Sequence, residues 1–389
     1  MNITIVCDVL GKENNGTTIA AMNLIRSLKG KGHRVTVVCP DAERRGEEGF
    51  VVVQQMNFGI FNGYVAKNGV TIAKPDSRVL EKAIIGADVV HLVTPFFLAN
   101  LARKVADMYG VPVTASFHCQ AENITNHLFL MNFPIINTLV YKFLYRTTFR
   151  YCSAIHYPTE FIRDVFERAA GEKTNAYVIS NGVNNYFKPE RREKPASLKD
   201  KYVVVFTGRY SKEKSHKVLI DGVACSKYRD KIQLVFAGSG PMEEKLKRYA
   251  AKKLPVQPIF KFFSRKELTE ILSYGDLYVH PAEIEIEAIA CLEAITCGMV
   301  PLIANSPRSA TRFFAIGENN LFDYNRPYSL AEKMDWWIEH PEERDACAQE
   351  YLGYAKQFNQ DECMDRMEKM LLDVVRGEAS IGEESYILP

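Results

Sequence analysis

The stretch "EIEIEAIACLEAITCG", Glu283 to Gly298, places four carboxylates among some of the most apolar residues of the chain. In its first half acidic residues alternate with isoleucine, which is the period of a strand with one wet face. In its second half apolar residues recur at helical spacing, and a glycine such as Gly298 is typical of a helix C-terminus. We therefore predict an extended segment that runs into a helix. The start of such a helix exposes unpaired backbone N–H groups, which bind anions readily.

Around this stretch the chain alternates between strands and helices, which is typical of parallel sheets. It begins with a strand (Asn2–Cys7), a helix (Thr17–Lys31) and a second strand (Arg34–Cys39). The pattern starts again with the apolar runs "KYVVVFTG", "IQLVFAGSG", "GDLYVHP" and "MVPLIAN". The segment between the two series, Lys188 to Lys201, is rich in charge and contains proline. We interpret it as a linker between two α/β domains.

The composition narrows the class of protein. A chain of 389 residues exceeds the size at which a single core usually keeps growing, and 47% hydrophobic with 25% charged residues is ordinary for a soluble globular protein. A net charge of +2 argues against nucleic acid as a partner. Nine cysteines without a C-x-x-C pair predict thiols in a reducing environment and no zinc site. With no signal-peptide pattern and no membrane-spanning apolar run, we expect a cytoplasmic protein.

Two cations follow the strand in "VVVFTG". Arg209 and Lys214 lie in "GRYSKEK", at a strand end where ligands of open parallel sheets bind. A diphosphate leaving group gains negative charge as its bond to a sugar breaks, and fixed cations stabilise that change. The alternative is a solvated basic loop, because Lys212 and Lys217 are nearby.

The next strand ends in "AGSGP", which contains Gly238, Ser239 and Gly240. Glycines allow a backbone to approach a nucleotide closely, and a helix is predicted to follow. The alternative is a plain tight turn, because a G-x-G alone is a weak signal.

Glu285 and Glu293 have seven residues between them, which places the first in the loop and the second on the helix. Carboxylates accept hydrogen bonds from vicinal hydroxyls, so this pair could hold a sugar and a ribose. The alternative is an acidic cluster that favours the helix N-terminus. We expect Glu283 to face solvent. Glu287 opposes a diphosphate, so it either turns away or helps to select a substrate.

Together the motifs "GRYSKEK", "VFAGSGP", "ELTEILSYGDLYVHP", the E-x7-E pair and "CGMVPLIAN" closely resemble those of the retaining glycosyltransferases of family 4. That resemblance implies the α/β GT-B fold, in which two Rossmann-like doubly wound domains face across a cleft. It implies an acceptor domain, a donor domain for the nucleoside-diphosphate sugar, and a final helix that returns to the first domain. The predicted ranges are 1–187, 188–350 and 351–389. It also implies transfer of a hexose to a hydroxyl with retention, without a metal or other cofactor.

The resemblance assigns roles to individual residues. Arg209 and Lys214 would clamp the diphosphate, Glu285 would touch the transferred sugar, and His118 would lie beside that sugar. Other residues would bind the donor: the ribose by Glu293, the phosphates by the backbone of Ala288 and Ile289, and the remainder by Gly16, Gly238, Ser239, Gly240 and Phe263. Three departures concern donor geometry. Ala288 and Ser215 stand where the family usually has glycine, and "NSPRSAT" replaces a Gly-Gly turn, with Arg308 as an additional cation.

The segment 126–152 is unusually aromatic, and Lys142, Arg146 and Arg150 recur every four residues. A basic stripe beside large apolar residues predicts peripheral contact with an anionic membrane and a lipid or cell-envelope glycan as acceptor. The alternative is an ordinary helix pair with its apolar face buried and its cations solvated.

Three other functions use a similar fold or site. A nucleotide-sugar 2-epimerase would use the same cleft, but it needs acid and base groups that these motifs do not predict. A dehydrogenase is disfavoured because the first loop, "GKENNG", lacks G-x-G-x-x-G. A degenerate binding protein gains support from Glu287 and Ala288, and is opposed by the retained Arg209 and Glu293.

Overall fold

The protein is described here by a computed structural model that covers residues 1–11, 16–57, 59, 62, 71–126, 130 and 132–379. The chain divides into two compact units. Unit 1 contains Met1–Asn181 together with the residues from Asp361 onward, and unit 2 contains Gly182–Gln360.

Unit 1 is built on a seven-stranded sheet whose hydrogen-bonded neighbours are all parallel. Its strands are β1 (Asn2–Val6), β2 (Arg34–Cys39), β3 (Phe50–Val52), β4 (Val89–Leu92), β5 (Val113–Ser116), β6 (Ala154–Tyr157) and β7 (Ala176–Val178). Their order is β3-β2-β1-β4-β5-β6-β7, so the winding reverses between β1 and β4. The central strands β4, β5 and β6 are buried along their length, as expected for a sheet covered on both faces.

The helices of unit 1 connect these strands. They are α1 (Gly16–Gly30), α2 (Ser77–Ile84), α3 (Phe97–Met108), α4 (Ala121–Asn126), α5 (Pro134–Thr147) and α6 (Glu160–Ala170). Local sequence explains the ends of α6: the Thr159 hydroxyl accepts from the Ile162 N–H, and Gly171 closes the helix in the left-handed conformation.

Unit 2 repeats the plan with six parallel strands. They are β8 (Tyr202–Thr207), β9 (Ile232–Ala237), β10 (Ile259–Lys261), β11 (Leu277–His280), β12 (Pro301–Ala304) and β13 (Leu321–Phe322). The order β10-β9-β8-β11-β12-β13 is that of a dinucleotide-binding sheet, with its switch point between β8 and β11. The helices are α7 (His216–Cys225), α8 (Glu243–Lys253), α9 (Arg265–Tyr274), α10 (Ile289–Thr296), α11 (Pro327–Glu339) and α12 (Pro341–Ala355).

The last helix, α13 (Gln360–Arg376), supplies much of the core of unit 1. Its buried residues Met364, Met367 and Leu371 join the apolar cluster of β1, β2 and α1. At its edge Glu368 accepts a hydrogen bond from the His33 Nε2 at 2.6 Å and pairs with Lys31 at 2.6 Å.

The unit boundaries differ from the predicted 187/188 and 350/351, because they fall at Asn181/Gly182 and Gln360/Asp361. The segment interpreted as a linker belongs to unit 2. The Lys194 ammonium lies 2.6 Å from the Asp276 carboxylate, and the Arg192 N–H donates to the Ser273 carbonyl at 3.2 Å. These contacts fix the segment although it has little regular structure.

The stretch from Glu283 to Gly298 has the predicted form. Its first half makes a single parallel bridge, Glu285 with Ser309, and its second half is helix α10, beyond which Gly298 has a φ of +87°. Within the described ranges, no helix combines the length and apolar character needed to cross a membrane.

Candidate functional site

The switch point of unit 2 brings two loops side by side. Strand β8 continues into the loop with Arg209 and Lys214, and its neighbour β11 continues into the loop with Glu285. Because adjacent parallel strands end at the same edge, the Lys214 and Glu285 side chains meet there. The place of the Arg209 side chain in the site stays a prediction.

Glu285 is the centre of this cluster. Its carboxylate pairs with the Lys214 ammonium and also lies 3.1 Å from the His280 Nε2. Burial acts to raise the pKa of Glu285, but the charge of Lys214 and the hydrogen bond from His280 outweigh it and lower the pKa to about 2. Glu285 is therefore an anion at neutral pH, and Lys214 has an anionic partner.

Sequence reasoning missed His280. It is the last residue of β11, and its ring is buried. Burial lowers the pKa of His280, while the hydrogen bond with Glu285 acts in the opposite direction. Because an ionised carboxylate only accepts, the Nε2 of His280 is its protonated nitrogen. The signal was its position at a strand end in "LYVHP".

The loop of Arg209 is fixed by the loop of Gly238 and Gly240. The Tyr210 N–H donates to the Ser239 carbonyl at 2.9 Å. A Cβ on Gly238 would lie 2.0 Å from the Gly208 carbonyl oxygen, and one on Gly240 would lie 2.6 Å from the Tyr210 nitrogen. The glycines thus allow two loops to pack backbone to backbone. Their approach to a nucleotide stays a prediction.

Both positions where the chain departs from the family glycine are left-handed. Ser215, the N-cap of α7, has a φ of 52°, and Ala288, the N-cap of α10, has a φ of 65°. This conformation costs an L-residue about 1–2 kcal/mol relative to glycine. The backbone therefore keeps the conformation that glycine favours, and α10 presents the N–H of Ile289 at its start.

Glu293 lies on α10, beyond the first turn. Within the part of the chain that the structure describes, its carboxyl group makes no hydrogen bond or ion pair. Burial raises the pKa of Glu293 to about 8, against the opposing charge of Arg265. A carboxyl group with a strongly shifted pKa is typical of functional sites, so Glu293 stays a candidate for the ribose.

The prediction that Glu283 faces solvent is wrong. Its side chain is only 14% exposed and pairs with Arg308. Its N–H donates to the Glu213 carbonyl at 2.8 Å, and its carbonyl accepts from the Ser306 hydroxyl at 2.7 Å. Glu283 therefore ties together the loops after β8, β11 and β12, and Arg308 has an acidic partner. Glu287 is buried.

The remaining predicted donor residues are less constrained. Phe263 is half-buried against the apolar core of unit 2, with the Lys261 ammonium 5.0 Å from its ring centroid. Gly16 is the first residue of α1, and a Cβ there would meet nothing within 4 Å. Most of the glycine loop, residues 12–15, lies outside the described residues.

His118 follows β5 in unit 1 and is half-buried. Its ring centroid lies 5.6 Å from that of His156 in an edge-to-face contact. Burial lowers the pKa of His118 well below its usual range, and the nearby His156 and His91 lower it further. His118 is therefore neutral at physiological pH.

Helix α5 has an exposed apolar stripe. Ile135, Leu139 and Phe143 follow one another at intervals of four and are 77%, 60% and 61% exposed. The alternative of a buried apolar face holds for the opposite face, with Tyr141 and Leu144, but not for this stripe. The basic stripe is shorter than predicted.

The helix ends at Thr147, so Arg150 is not on it. Arg150 lies in a 3-10 turn, with its guanidinium 5.0 Å from the Tyr151 ring centroid. Part of the segment, residues 127–129 and 131, lies outside the described residues.

Comparison with known proteins gives consistent matches over both units. The family model "Glycosyltransferase Family 4" matches residues 14–185, and "Glycosyl transferases group 1" matches residues 187–351. A GDP-mannose-dependent alpha-mannosyltransferase of Corynebacterium glutamicum is 24% identical over 91% of this chain and 84% of its own length. Alpha-monoglucosyldiacylglycerol synthase of Streptococcus pneumoniae is 24% identical over 78% of this chain and 71% of its own length.

Among solved structures, Anabaena Alr3699/HepE in complex with UDP and glucose has a TM-score of 0.73 at 17% identity, covering 96% of this chain and 100% of that one. This likeness, with one doubly wound parallel sheet in each unit, identifies the GT-B fold. The chain belongs to glycosyltransferase family 4. The epimerase alternative has no support among these relatives.

Proposed function

We propose that the protein transfers a hexose from a nucleoside-diphosphate sugar to a hydroxyl group of a lipid or glycan, with retention of anomeric configuration and without a metal ion. The observation that carries the proposal is the pairing of Lys214 with ionised Glu285 at the switch point of unit 2, where the loop that follows β8 also contains Arg209. Cations at this place can neutralise a departing diphosphate, which is the task of a divalent ion in other transferases.

The reaction follows from the charges of these groups. As the bond between the sugar and the diphosphate breaks, the sugar ring becomes positive and the diphosphate more negative. Arg209, Lys214 and the N–H groups at the start of α10 stabilise the departing anion. The acceptor hydroxyl attacks the face that the phosphate leaves, and its proton goes to the departing phosphate oxygen.

The carboxylates orient the donor. Glu285 accepts a hydrogen bond from a hydroxyl of the transferred sugar, and Glu293 binds the ribose hydroxyls. We also propose that His118, which is neutral, binds a hydroxyl of the transferred sugar. Donor binding then gives Lys214 a second anionic partner, the diphosphate. It also gives the Glu293 carboxyl group a hydrogen-bond partner, which that group lacks among the described residues.

The donor and the stereochemistry can be tested together. The protein is incubated with UDP- and GDP-linked hexoses, with and without lipid extract, in buffer containing EDTA. Thermal stabilisation reports binding, and the anomeric coupling constant of the product in NMR spectra reports retention. We expect an α-linked product from an α-linked donor, unaffected by EDTA. No stabilisation by any nucleoside diphosphate would refute the transferase proposal, and an inverted product would refute retention.

The exposed stripe of α5 supports a membrane lipid as the acceptor. Ile135, Leu139 and Phe143 present apolar surface beside Lys142 and Arg146, a pairing suited to the interface of an anionic bilayer. The relative from Streptococcus pneumoniae bears the name of a lipid glycosyltransferase. The protein would then work at the inner face of the membrane as a peripheral protein.

Vesicle sedimentation tests this contact. Leu139→Glu with Phe143→Glu should weaken binding to phosphatidylglycerol vesicles at least tenfold, because each charge opposes both burial and the anionic surface. Tyr328→Glu is the matched control, since Tyr328 is 80% exposed but lies in unit 2. Equal binding by both variants would show that α5 does not contact the membrane.

A further inference from the structure

A row of buried hydrogen bonds crosses the strands of unit 1. The Thr114 hydroxyl lies 2.9 Å from the His91 Nδ1, and the His91 Nε2 lies 2.9 Å from the Ser116 hydroxyl. The same hydroxyl lies 2.9 Å from the His156 Nδ1, and the His156 Nε2 lies 2.7 Å from the Ile179 carbonyl oxygen. We call Thr114, His91, Ser116 and His156 the histidine row.

The direction of every bond in the row follows from its last member. A carbonyl oxygen only accepts, so the His156 Nε2 carries a proton, and in a neutral ring its Nδ1 must accept from Ser116. The Ser116 hydroxyl has one proton, so its oxygen accepts from the His91 Nε2. The His91 Nδ1 then accepts from Thr114. The neutral row therefore has one order of protons.

Protonation of His156 breaks this order, because its Nδ1–H would face the Ser116 hydroxyl, which already donates to that nitrogen. Protonation of His91 is less disruptive, because the Thr114 hydroxyl can donate instead to the Val90 carbonyl, 3.4 Å away. Burial lowers the pKa of His91 to about 3, with a further contribution from the charge of His156. Burial likewise lowers the pKa of His156 to about 4, although its bond to Ile179 opposes the shift. The row is therefore uncharged at physiological pH.

A small cavity beside the row connects it to His118. Its described lining includes His91, Ser116, His118 and His156, and covering helices contribute apolar residues, including Ala20 of α1 and Met364 of α13. The described lining contains no acidic residue, lysine or arginine, so His118 is the one titratable group there outside the row. The His118 ring meets the His156 ring edge to face, at 72°.

We propose that His91, Ser116 and His156 are positioning residues for His118, which they hold in one orientation. The inference rests on the proposed function, because it concerns the place of His118 beside the donor sugar. The row fixes the plane of the His156 ring by bonds at both nitrogens, and the His118 ring meets that fixed ring edge to face. A neutral His118 has one donor and one acceptor nitrogen, and so can bind a sugar hydroxyl without adding charge near a cationic transition state.

Ser116→Ala tests the proposal, because it removes the shared hydroxyl and leaves both imidazoles. Thr4→Val is the matched control: Thr4 is buried on β1 and its hydroxyl donates to the Ala83 carbonyl, away from the row. Two readouts are used. NMR spectra of ¹⁵N-histidine-labelled protein report tautomers and ring environments, and steady-state kinetics from pH 5 to 8 report kcat and KM.

In the wild type we expect His156 in the Nε2-protonated tautomer and His118 neutral at physiological pH. In Ser116→Ala the His118 and His156 signals should move, and kcat should fall about tenfold with little change in donor KM. Thr4→Val should show none of these changes.

A double-mutant cycle separates positioning from general destabilisation. In a His118→Ala background, Ser116→Ala should cause no further loss of kcat, because its effect acts through His118. An equal loss in both backgrounds, or unmoved His118 signals, would overturn the proposal. A wild type that turns over no donor, yet whose His118 signals move in Ser116→Ala, would reject the proposed function and retain the structural coupling.

Discussion

The His280 imidazole donates its Nε2–H to the Glu285 carboxylate at 3.1 Å, from the last residue of a buried strand. This bond orients Glu285 in the free enzyme, because the other side-chain partner of the carboxylate is the Lys214 ammonium, at the end of a long and flexible side chain. The position of the carboxylate is therefore determined by the rigid sheet as well as by the cation.

His280→Gln is expected to lower kcat about tenfold, because a hydrogen bond to a charged group contributes about 1.5–3 kcal/mol. Donor hydrolysis and transfer rates provide the measurement. Tyr278→Phe is the control, since it removes the 3.4 Å contact with the His280 Nδ1 and the 3.5 Å contact with the Thr207 carbonyl, and leaves the bond to Glu285 in place. Equal effects of the two substitutions would contradict a specific role for the bond to Glu285.

Arg209→Ala and Lys214→Ala should each reduce kcat by at least about 100-fold, because each removes a cation that stabilises the departing diphosphate. Circular dichroism spectra should be unchanged. Lys217→Ala should retain activity, because the Lys217 ammonium lies 4.8 Å from the Tyr249 ring centroid, on a neighbouring part of α7. Full activity of both site variants would show that the diphosphate binds elsewhere.

Ser215→Gly should stabilise the protein by about 1 kcal/mol, because glycine adopts the left-handed conformation without strain. Ala288→Gly should gain less, since it also removes a buried methyl group. Urea denaturation measures both effects. Asn325→Gly is the control: its φ is 59°, but asparagine tolerates this region, so little change is expected. Destabilisation by Ser215→Gly would mean that the serine hydroxyl outweighs the strain.

Glu293→Gln should change how stability depends on pH. Because burial raises the folded-state pKa of Glu293 to about 8, its favourable contribution is complete below about pH 4.5 and is lost as the pH rises through 8. The variant should therefore gain stability over the wild type between pH 5 and 8, on the order of a few kcal/mol. Urea midpoints at several pH values measure this difference. If the substitution acted only through packing, the difference between the variant and the wild type would be the same at every pH. Turnover should be lost, as for Glu293→Ala.

Much of the fold could be predicted because parallel sheets have a clear pattern of short apolar strands and intervening helices. The strand Arg34–Cys39 and the helix of the Glu283–Gly298 stretch formed as expected. Arg209, Lys214 and Glu285 were found at adjacent strand ends because the strand order follows from the winding rule.

The features that could not be predicted depend on strand register and on contacts between residues far apart in the sequence. His91 and His156 read as ordinary members of apolar strands, and only the pairing of β4, β5 and β6 aligns them around Ser116. Glu283 was assigned to solvent because its partner Arg308 follows a different strand. The exposure of the apolar stripe of α5 could not be predicted, because periodicity shows that two faces of a helix differ but not which of them is covered.

The place of α13 has a consequence for how the chain is made. The apolar cluster of unit 1 lacks Met364, Met367 and Leu371 until the last part of the chain has left the ribosome. Unit 2 is a continuous segment and is complete earlier, although it comes second in the sequence. During synthesis unit 1 therefore keeps this apolar surface uncovered until α13 has been made. A chain that stops near residue 360 would carry that surface permanently and be a target for chaperones and proteases.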